Sequence, residues 1–288
     1  MATKEPRAVS VGVLKGGFGK TTTALNTARE LAHRNGTALV VDLDDNGHMT
    51  RQLGFDDAYQ NEPNHAKDVL VDGNDSRPHI VNVVDGLDLF PAHTELESTE
   101  TTLRGEQMAS ARLRRHLVEP LLGEDYDYIV VDCPANRGKL NDNAMYATQN
   151  IIIPLKPESG YDSGLQNTLE RLVQAAREYF DLDILAVTPT ALDDRIDQET
   201  RDRGLLKQLN AMDHADDLVP DYARLRDGDW DAIDASNYDG DLPGIRYRAA
   251  IDRAHDAGLP LRDYDGSCDQ LGCYDELACI VENGGLNR

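Results

Sequence analysis

The sequence predicts an α/β fold, a doubly wound and mostly parallel sheet with helices on both faces. Three observations predict it. Short Val/Ile/Leu-rich runs alternate with helix-length segments, the pattern of strands buried on both faces between crossover helices. The first run leads directly into a glycine-rich turn and then a helical pattern. Two later runs end in aspartate, and the carboxyl ends of parallel strands face the ligand crevice of such sheets.

The strand runs are Val9–Leu14, Ala38–Leu43, Leu87–Pro91, Tyr128–Asp132, Asn150–Leu155 and Ile184–Thr188. Each is short, apolar and rich in β-branched residues. Helical patterns separate them over Thr22–Arg34, Ala109–Leu122, Leu140–Gln149 and Gly164–Phe180, and a further one, Asp197–Leu209, follows the last strand. A chain of 288 residues with 40% hydrophobic content supports a core of this kind. No repeat and no linker divides it, so residues 1–288 read as one domain. The segment Leu225–Gly244 stands apart: six aspartates and three glycines make it read as an acidic surface loop. It opens like a calcium loop at Asp227, Asp229 and Asp231, but Ala232 replaces the required glycine and Tyr238 the bidentate glutamate.

The formal net charge is −23, and only seven of the 29 basic residues are lysine. Acid spread along the whole chain fits a surface adapted to concentrated salt; the alternative is an acidic face for a basic partner. Cys133 sits in a buried-strand context and reads as a small packing residue. Cys268, Cys273 and Cys279 have neither a C-x-x-C spacing nor a nearby histidine, and they form no disulfide framework. No apolar run approaches a membrane span, and the first ten residues are too polar for a signal peptide. A soluble, cytoplasmic protein is expected.

The chemistry begins at Lys15-Gly16-Gly17-Phe18-Gly19-Lys20-Thr21-Thr22. A strand, a glycine turn and a helix N-terminus make a phosphate cradle. Lys20 reaches terminal phosphates and the Thr21 hydroxyl is placed to ligate Mg²⁺. The plain P-loop pattern fails, because Leu14 stands where its first glycine belongs and Lys15 follows. After Ala38–Leu43 come Asp42, Asp44, Asp45 and Asn46, and Asp42 and Asp44 share a strand face if the strand persists. Tyr128–Asp132 is an apolar strand ending in a carboxylate, the pattern that holds Mg²⁺ directly or through water.

The two-lysine form KGGxGKTT resembles the deviant Walker A box of the ParA/MinD ATPases, closest to the ParA/Soj-type partition proteins. The resemblance is best over Val9–Gly54 and Tyr126–Gly164. It implies a P-loop NTPase fold, ATP and Mg²⁺ as cofactors, and Mg-dependent ATP hydrolysis. It implies nucleotide contacts from residues 15–22 (Lys15, Gly16, Gly17, Phe18, Gly19, Lys20, Thr21 and Thr22). Lys15 would cross a dimer interface to the partner's nucleotide. Asp44, with Asp42, stands in the first switch, where the family's second aspartate positions or activates the attacking water; Asp45 and Asn46 depart from the usual proline and glutamine. Asp132-Cys133-Pro134-Ala135 resembles the second switch, with Ala135 for a second proline. Val219-Pro220 matches a segment that packs on the adenine, and Ile245–Leu261 a late basic helix.

The function so implied is a switch between monomer and ATP-sandwich homodimer. It segregates or positions DNA, as in plasmid or chromosome partition, or another cargo, and a centromere-binding or other adaptor stimulates hydrolysis. The loop begins within the first twenty residues and no helix-turn-helix precedes it, so sequence-specific DNA binding is not expected. Arg246, Arg248, Arg253 and Arg262 are either contacts for non-specific DNA or partners of the surrounding aspartates. Two other readings share the core: a MinD-like membrane-positioning ATPase, which needs a basic amphipathic C-terminal helix that Asp275–Arg288 lacks, and a weakly hydrolysing nucleotide-binding adaptor.

Overall fold

A computed structural model describes residues 5–34, 36–60, 63–159, 161–194 and 200–286. Its strands are β1 (Arg7–Val11), β2 (Ala38–Asp42), β3 (Val81–Val84), β4 (Leu87–Phe90), β5 (Tyr128–Asp132), β6 (Asn150–Leu155) and β7 (Asp183–Pro189). They form one sheet in the order β3-β4-β2-β5-β1-β6-β7. All neighbours run parallel except β3, which is antiparallel to β4. Every residue of β2 and β5 is buried, as continuous apolar runs at the centre of a covered sheet require.

The principal helices are α1 (Lys20–His33), α2 (His48–Gln52), α3 (His65–Leu70), α4 (Leu96–Leu103), α5 (114–121), α6 (Lys139–Thr148), α7 (161–177), α8 (Arg201–Asn210), α9 (Asp227–Asp234), α10 (Ala249–Asp256) and α11 (Leu271–Asn283). Alternate strand residues point to opposite faces, and two cores result. Leu39, Val41, Ile129 and Val131 pack with Leu117, Ala144, Leu172 and Leu205 of α5 to α8. Val40, Val130, Val9 and Val11 pack with Leu25 and Leu31 of α1 and Leu277 and Val281 of α11.

The expected alternation is present, with α2, α3 and α4 added to it and further differences elsewhere. β1 starts and stops earlier than Val9–Leu14, because the chain leaves the sheet at Gly12, whose N–H still reaches Ile152 O at 3.1 Å. β3 and α11 were not foreseen: β3 is a four-residue antiparallel edge, and the Cys-bearing α11 closes one face on α1 and β1. The acidic segment is not all loop. Asp227–Asp234 is helical; the Asp229 carboxylate accepts the Arg226 N–H at 2.7 Å, capping its start, and Ile233 is buried. A helix there is incompatible with a calcium loop. Residues 197–199 of the expected helix Asp197–Leu209 lie outside the described residues; α8 begins at Arg201.

Candidate functional site

The glycine loop joins β1 to α1 at the carboxyl edge of the sheet. Gly17 and Gly19 both have φ of 78°, a left-handed conformation that favours glycine. A Cβ on Gly19 would also stand 2.9 Å from the Thr190 hydroxyl. Gly19 precedes α1 without a side-chain cap among the described residues, which leaves the first-turn N–H groups available to an anion. Thr168 of α7 anchors the loop from behind, its hydroxyl accepting the Leu14 N–H at 2.9 Å.

The two lysines of the loop part company. Lys20 is 6% exposed and its ammonium turns back to Lys15 O at 3.3 Å, inside the cradle. Lys15 points the other way: its Nζ donates to Ser159 O at 2.5 Å and lies 5.1 Å from the centre of the Phe18 ring. The stem of Lys15 passes beside Gly164 of α7, where a Cβ would make ordinary contact with Lys15 Cδ at 3.5 Å.

Asp42, Asp44 and Asp132 meet at the ends of the paired strands β2 and β5, and their surroundings give them different roles. Asp42 is saturated: it accepts from Thr50 Oγ1 at 2.7 Å, Thr50 N at 3.0 Å and Asp44 N at 3.2 Å. Burial pushes its pKa up to about 6 even so. Asp44, 8% exposed, is aimed by Asn46, whose backbone and side-chain N–H groups both donate to Oδ1, at 3.0 and 2.8 Å. Asp132 is fully buried and neither of its oxygens has a hydrogen-bond partner among the described residues. Its pKa is driven well up, first by burial and then by the charge of Asp42, against the pull of Lys20 and Thr21.

These orphaned oxygens, beside a threonine and a phosphate cradle, fit Mg²⁺. That ion takes one or two protein carboxylates and leaves its other positions to water and phosphate. No cluster of three or more ligating side chains exists among the described residues, in keeping with that mode.

Behind the second switch, Asn141 of α6 donates to Pro134 O at 3.1 Å and also to Asn136 O, and Glu100 of α4 accepts the Lys139 N–H. Beside the loop lies a cleft of about 210 Å³ lined by Gly17, Gly19, Thr22, Thr190, Ile245 and Tyr247 among others. Pro220 is not part of this lining. Its place is taken by Ile245–Tyr247, which runs along the end of β7 through Ile245 N to Pro189 O, 3.0 Å, and Tyr247 N to Leu192 O, 2.8 Å. The arginines proposed for DNA are mostly consumed within the protein. Arg246 is buried; Arg248 is forked on Asp269 and paired to Asp194; Arg262 is forked on the buried Glu30 at 2.5 Å. Arg253 alone of the four is exposed.

Sequence comparisons decide the lineage. The AAA_31 family model, an AAA domain, matches residues 6–184. The sporulation initiation inhibitor protein Soj of Bacillus subtilis is 37% identical over 184 residues, 63% of this chain and 71% of Soj. The chain belongs to the ParA/MinD family of ATPases. An uncharacterized Pseudomonas putida protein is 31% identical over 228 residues, covering 78% of this chain and 85% of its own length. Among solved structures, apo McdA of Cyanothece has a TM-score of 0.73 at 20% identity, spanning 95% of this chain and 98% of McdA, a likeness of fold. Cobyrinic acid a,c-diamide synthase of Mycobacterium smegmatis, solved with ADP and magnesium, has a TM-score of 0.64 at 28% identity, covering 74% and 83% of the two chains.

Within this ParA/MinD chain, the motif residues Lys20, Thr21, Asp44 and Asp132 converge as the sequence implied. Thr50, Asn141 and Thr168, which tie down Asp42, the segment after Asp132 and the glycine loop, were missed, as was the hold of Asn46 on Asp44. Each is a polar residue whose partner is set by tertiary contact, apart from Asn46, whose short i to i+2 link to Asp44 is a local signal.

Proposed function

We propose that this chain is a Mg²⁺-dependent ATP hydrolase of the ParA type, alternating between a monomer and an ATP-bridged dimer to segregate or position DNA or another cargo. The observation that carries this reading is the divergence of the two lysines. Lys20 faces the cradle, while Lys15 lies outside the cleft, against the Ser159 carbonyl and the Phe18 ring and within the field of Glu158. A second cation of one loop, displaced from its own cradle, serves a nucleotide bound elsewhere. Lys15 leaves Ser159 O and Phe18 when a partner's phosphates present a stronger acceptor.

Within one protomer the residues divide the work. The loop amides and Lys20 bind and orient the phosphates, and Thr21 and Asp132 hold the metal. Held there, Mg²⁺ would supply charge neutralisation to the phosphates. Asp44, aimed by Asn46, orients the attacking water and takes up its proton. Asp42 sets the bend of the first switch through Thr50. The adenine lies toward Thr190 and Ile245–Tyr247.

A membrane-positioning role is less well supported. No described helix is long and apolar enough to cross a membrane, and α11, the last helix, buries Leu271, Tyr274, Leu277, Ile280 and Val281 against the body of the protein. The charge of −23 and the internal pairing of Arg248 and Arg262 disfavour DNA as the track.

Light scattering with ATP tests the proposal on an Asp44→Ala background, which suppresses turnover. Asp44→Ala dimerises and Lys15→Ala/Asp44→Ala stays monomeric while still binding ATP. Equal dimerisation of the two sinks the sandwich mechanism.

A further inference from the structure

The end of α10 lies against the start of α1. His255, in the last turn of α10, brings Nε2 to 3.4 Å from the hydroxyl of Thr22, the third residue of α1. Other contacts fix this placement. Asn26, one turn along α1, donates to Thr22 O at 2.9 Å and accepts the Leu261 N–H at 2.9 Å. Arg29 forks on Asp263 at 2.6 and 2.9 Å, and Arg262 forks on Glu30. The chain just beyond α10 is therefore bolted to α1, and His255 does not need Thr22 to stay in place. A separation of 3.4 Å is long for a hydrogen bond. The two polar groups are held side by side more than they are bonded.

Both line the cleft beside the glycine loop. Other charged side chains of that lining are engaged with the protein: Lys156 pairs with Glu158 at 2.7 Å, and Asp252 accepts the Tyr247 hydroxyl at 2.6 Å. Thr22 belongs to the uncapped first turn of α1, whose N–H groups suit an anion. An oxygen seated on Thr22 is within reach of His255 as well. Burial holds the pKa of His255 below its usual value, against the charges of Asp252 and Asp256. A neutral imidazole still carries one N–H to donate.

We propose that His255 is a further nucleotide-binding residue, its Nε2–H donating to the phosphate nearest the ribose while that phosphate sits on Thr22. The inference rests on reading the glycine loop as a nucleotide cradle. With terminal phosphates at Lys20 and Thr21 and the base toward Thr190 and Ile245–Tyr247, the nucleotide passes Thr22 with that innermost phosphate. His255 thus makes α10 one wall of the site, opposite the loop amides.

The test is calorimetry of the whole chain with ADP and Mg²⁺, joined to ³¹P NMR of the bound ADP. His255→Ala should bind ADP about tenfold more weakly than wild type, and His255→Gln, which keeps a donor, should recover most of the loss. The α-phosphorus resonance of bound ADP should move between wild type and His255→Ala while the β-phosphorus resonance stays. A purely structural role for His255 would not single out one phosphorus. His255→Phe keeps a ring and lacks the donor, so it should match His255→Ala and serves if that variant does not fold. Equal affinity in wild type and the donor-free variants, or an α-phosphorus resonance that they leave in place, overturns the proposal. If ADP binding is lost in Lys20→Ala but untouched in His255→Ala, the cradle stands and His255 alone is refuted. If wild type binds no ADP, both readings fall.

Discussion

Thr50 holds Asp42 by two hydrogen bonds, from its amide at 3.0 Å and its hydroxyl at 2.7 Å, while the same hydroxyl accepts the Ala92 N–H at 2.8 Å. One side chain thus ties the end of β2 to the segment that follows β4. Thr50→Val keeps the shape and removes the hydroxyl, leaving a buried carboxylate and a buried amide short of partners. A loss of about 2 kcal/mol in unfolding free energy by urea titration is expected. A loss below about 0.5 kcal/mol would show that the tie is not structural.

Lys20→Ala removes the cation of the cradle. Calorimetry should find ATP binding lost or weakened by at least about a hundredfold, with the far-UV spectrum unchanged. Wild-type affinity in the variant would refute the phosphate assignment of the loop.

Asp44→Ala should bind ATP normally and hydrolyse it about 10²–10⁴-fold more slowly, the range for loss of a positioned proton acceptor. Asn46→Ala should fall between it and wild type, because Asp44 remains and keeps the backbone N–H of residue 46 but loses the side-chain donor that aims it. If phosphate release in Asp44→Ala matches wild type, the carboxylate takes no part in turnover.

His65 gives a pH signature. Its ring is buried, donates from Nε2 to Pro91 O at 2.7 Å, and sits 5.3 Å from the His93 ring and 5.8 Å from the His79 ring. Burial, with the neighbouring imidazoles, pushes its pKa down from 6.5 to about 4. Between those values the unfolded chain binds a proton that the folded one refuses, so stability is full above pH 6.5 and falls as pH drops toward 4, by about 3 kcal/mol. Asp42, raised to about 6, slopes the opposite way, so the readout is a difference: His65→Gln should lose less stability than wild type between pH 6.5 and 4. Parallel pH profiles would remove the assignment.

Salt should stabilise the fold. At −23, surface charges repel across distances that low ionic strength leaves unscreened. The melting temperature should climb with KCl into the molar range. A flat or falling curve would mean that the ion pairs around Arg248 and Arg262, which salt weakens, outweigh the repulsion.

What the sequence displayed and what it hid differ in physical kind. The strands of the sheet centre were visible because burial on both faces leaves an unbroken apolar run, as in Tyr128–Asp132. The carboxylates of Asp42 and Asp132 were visible because they end such runs. β3 was hidden, since four residues pairing at an edge through β4 carry little pattern of their own. α9 was hidden by its composition: an acidic run with glycine reads as loop until Trp230 finds a surface to pack on. Pro220, matched by sequence order, lies outside the lining of the cleft beside the glycine loop, which includes Ile245 and Tyr247. For Arg246, Arg248, Arg253 and Arg262 the sequence left DNA contact and internal pairing both open, because it does not reveal that Arg248 meets Asp194 and Asp269 and Arg262 meets Glu30.

The packing of α9 on α8 gives the molecule an optical reporter. Trp230 is the one tryptophan of the chain, and the guanidinium of Arg203 and the ammonium of Lys207 stand 5.0 and 5.7 Å from its ring, with Asp234 closing on Arg203 at 2.7 Å. Emission excited at the indole band therefore comes from one seam, on the far side of β7 from α1. Its colour follows whether that seam is shut or wet. Unlabelled protein can be watched in a stopped-flow cell while nucleotide arrives at the glycine loop, and any signal would mean that the strip 200–244 feels the cradle.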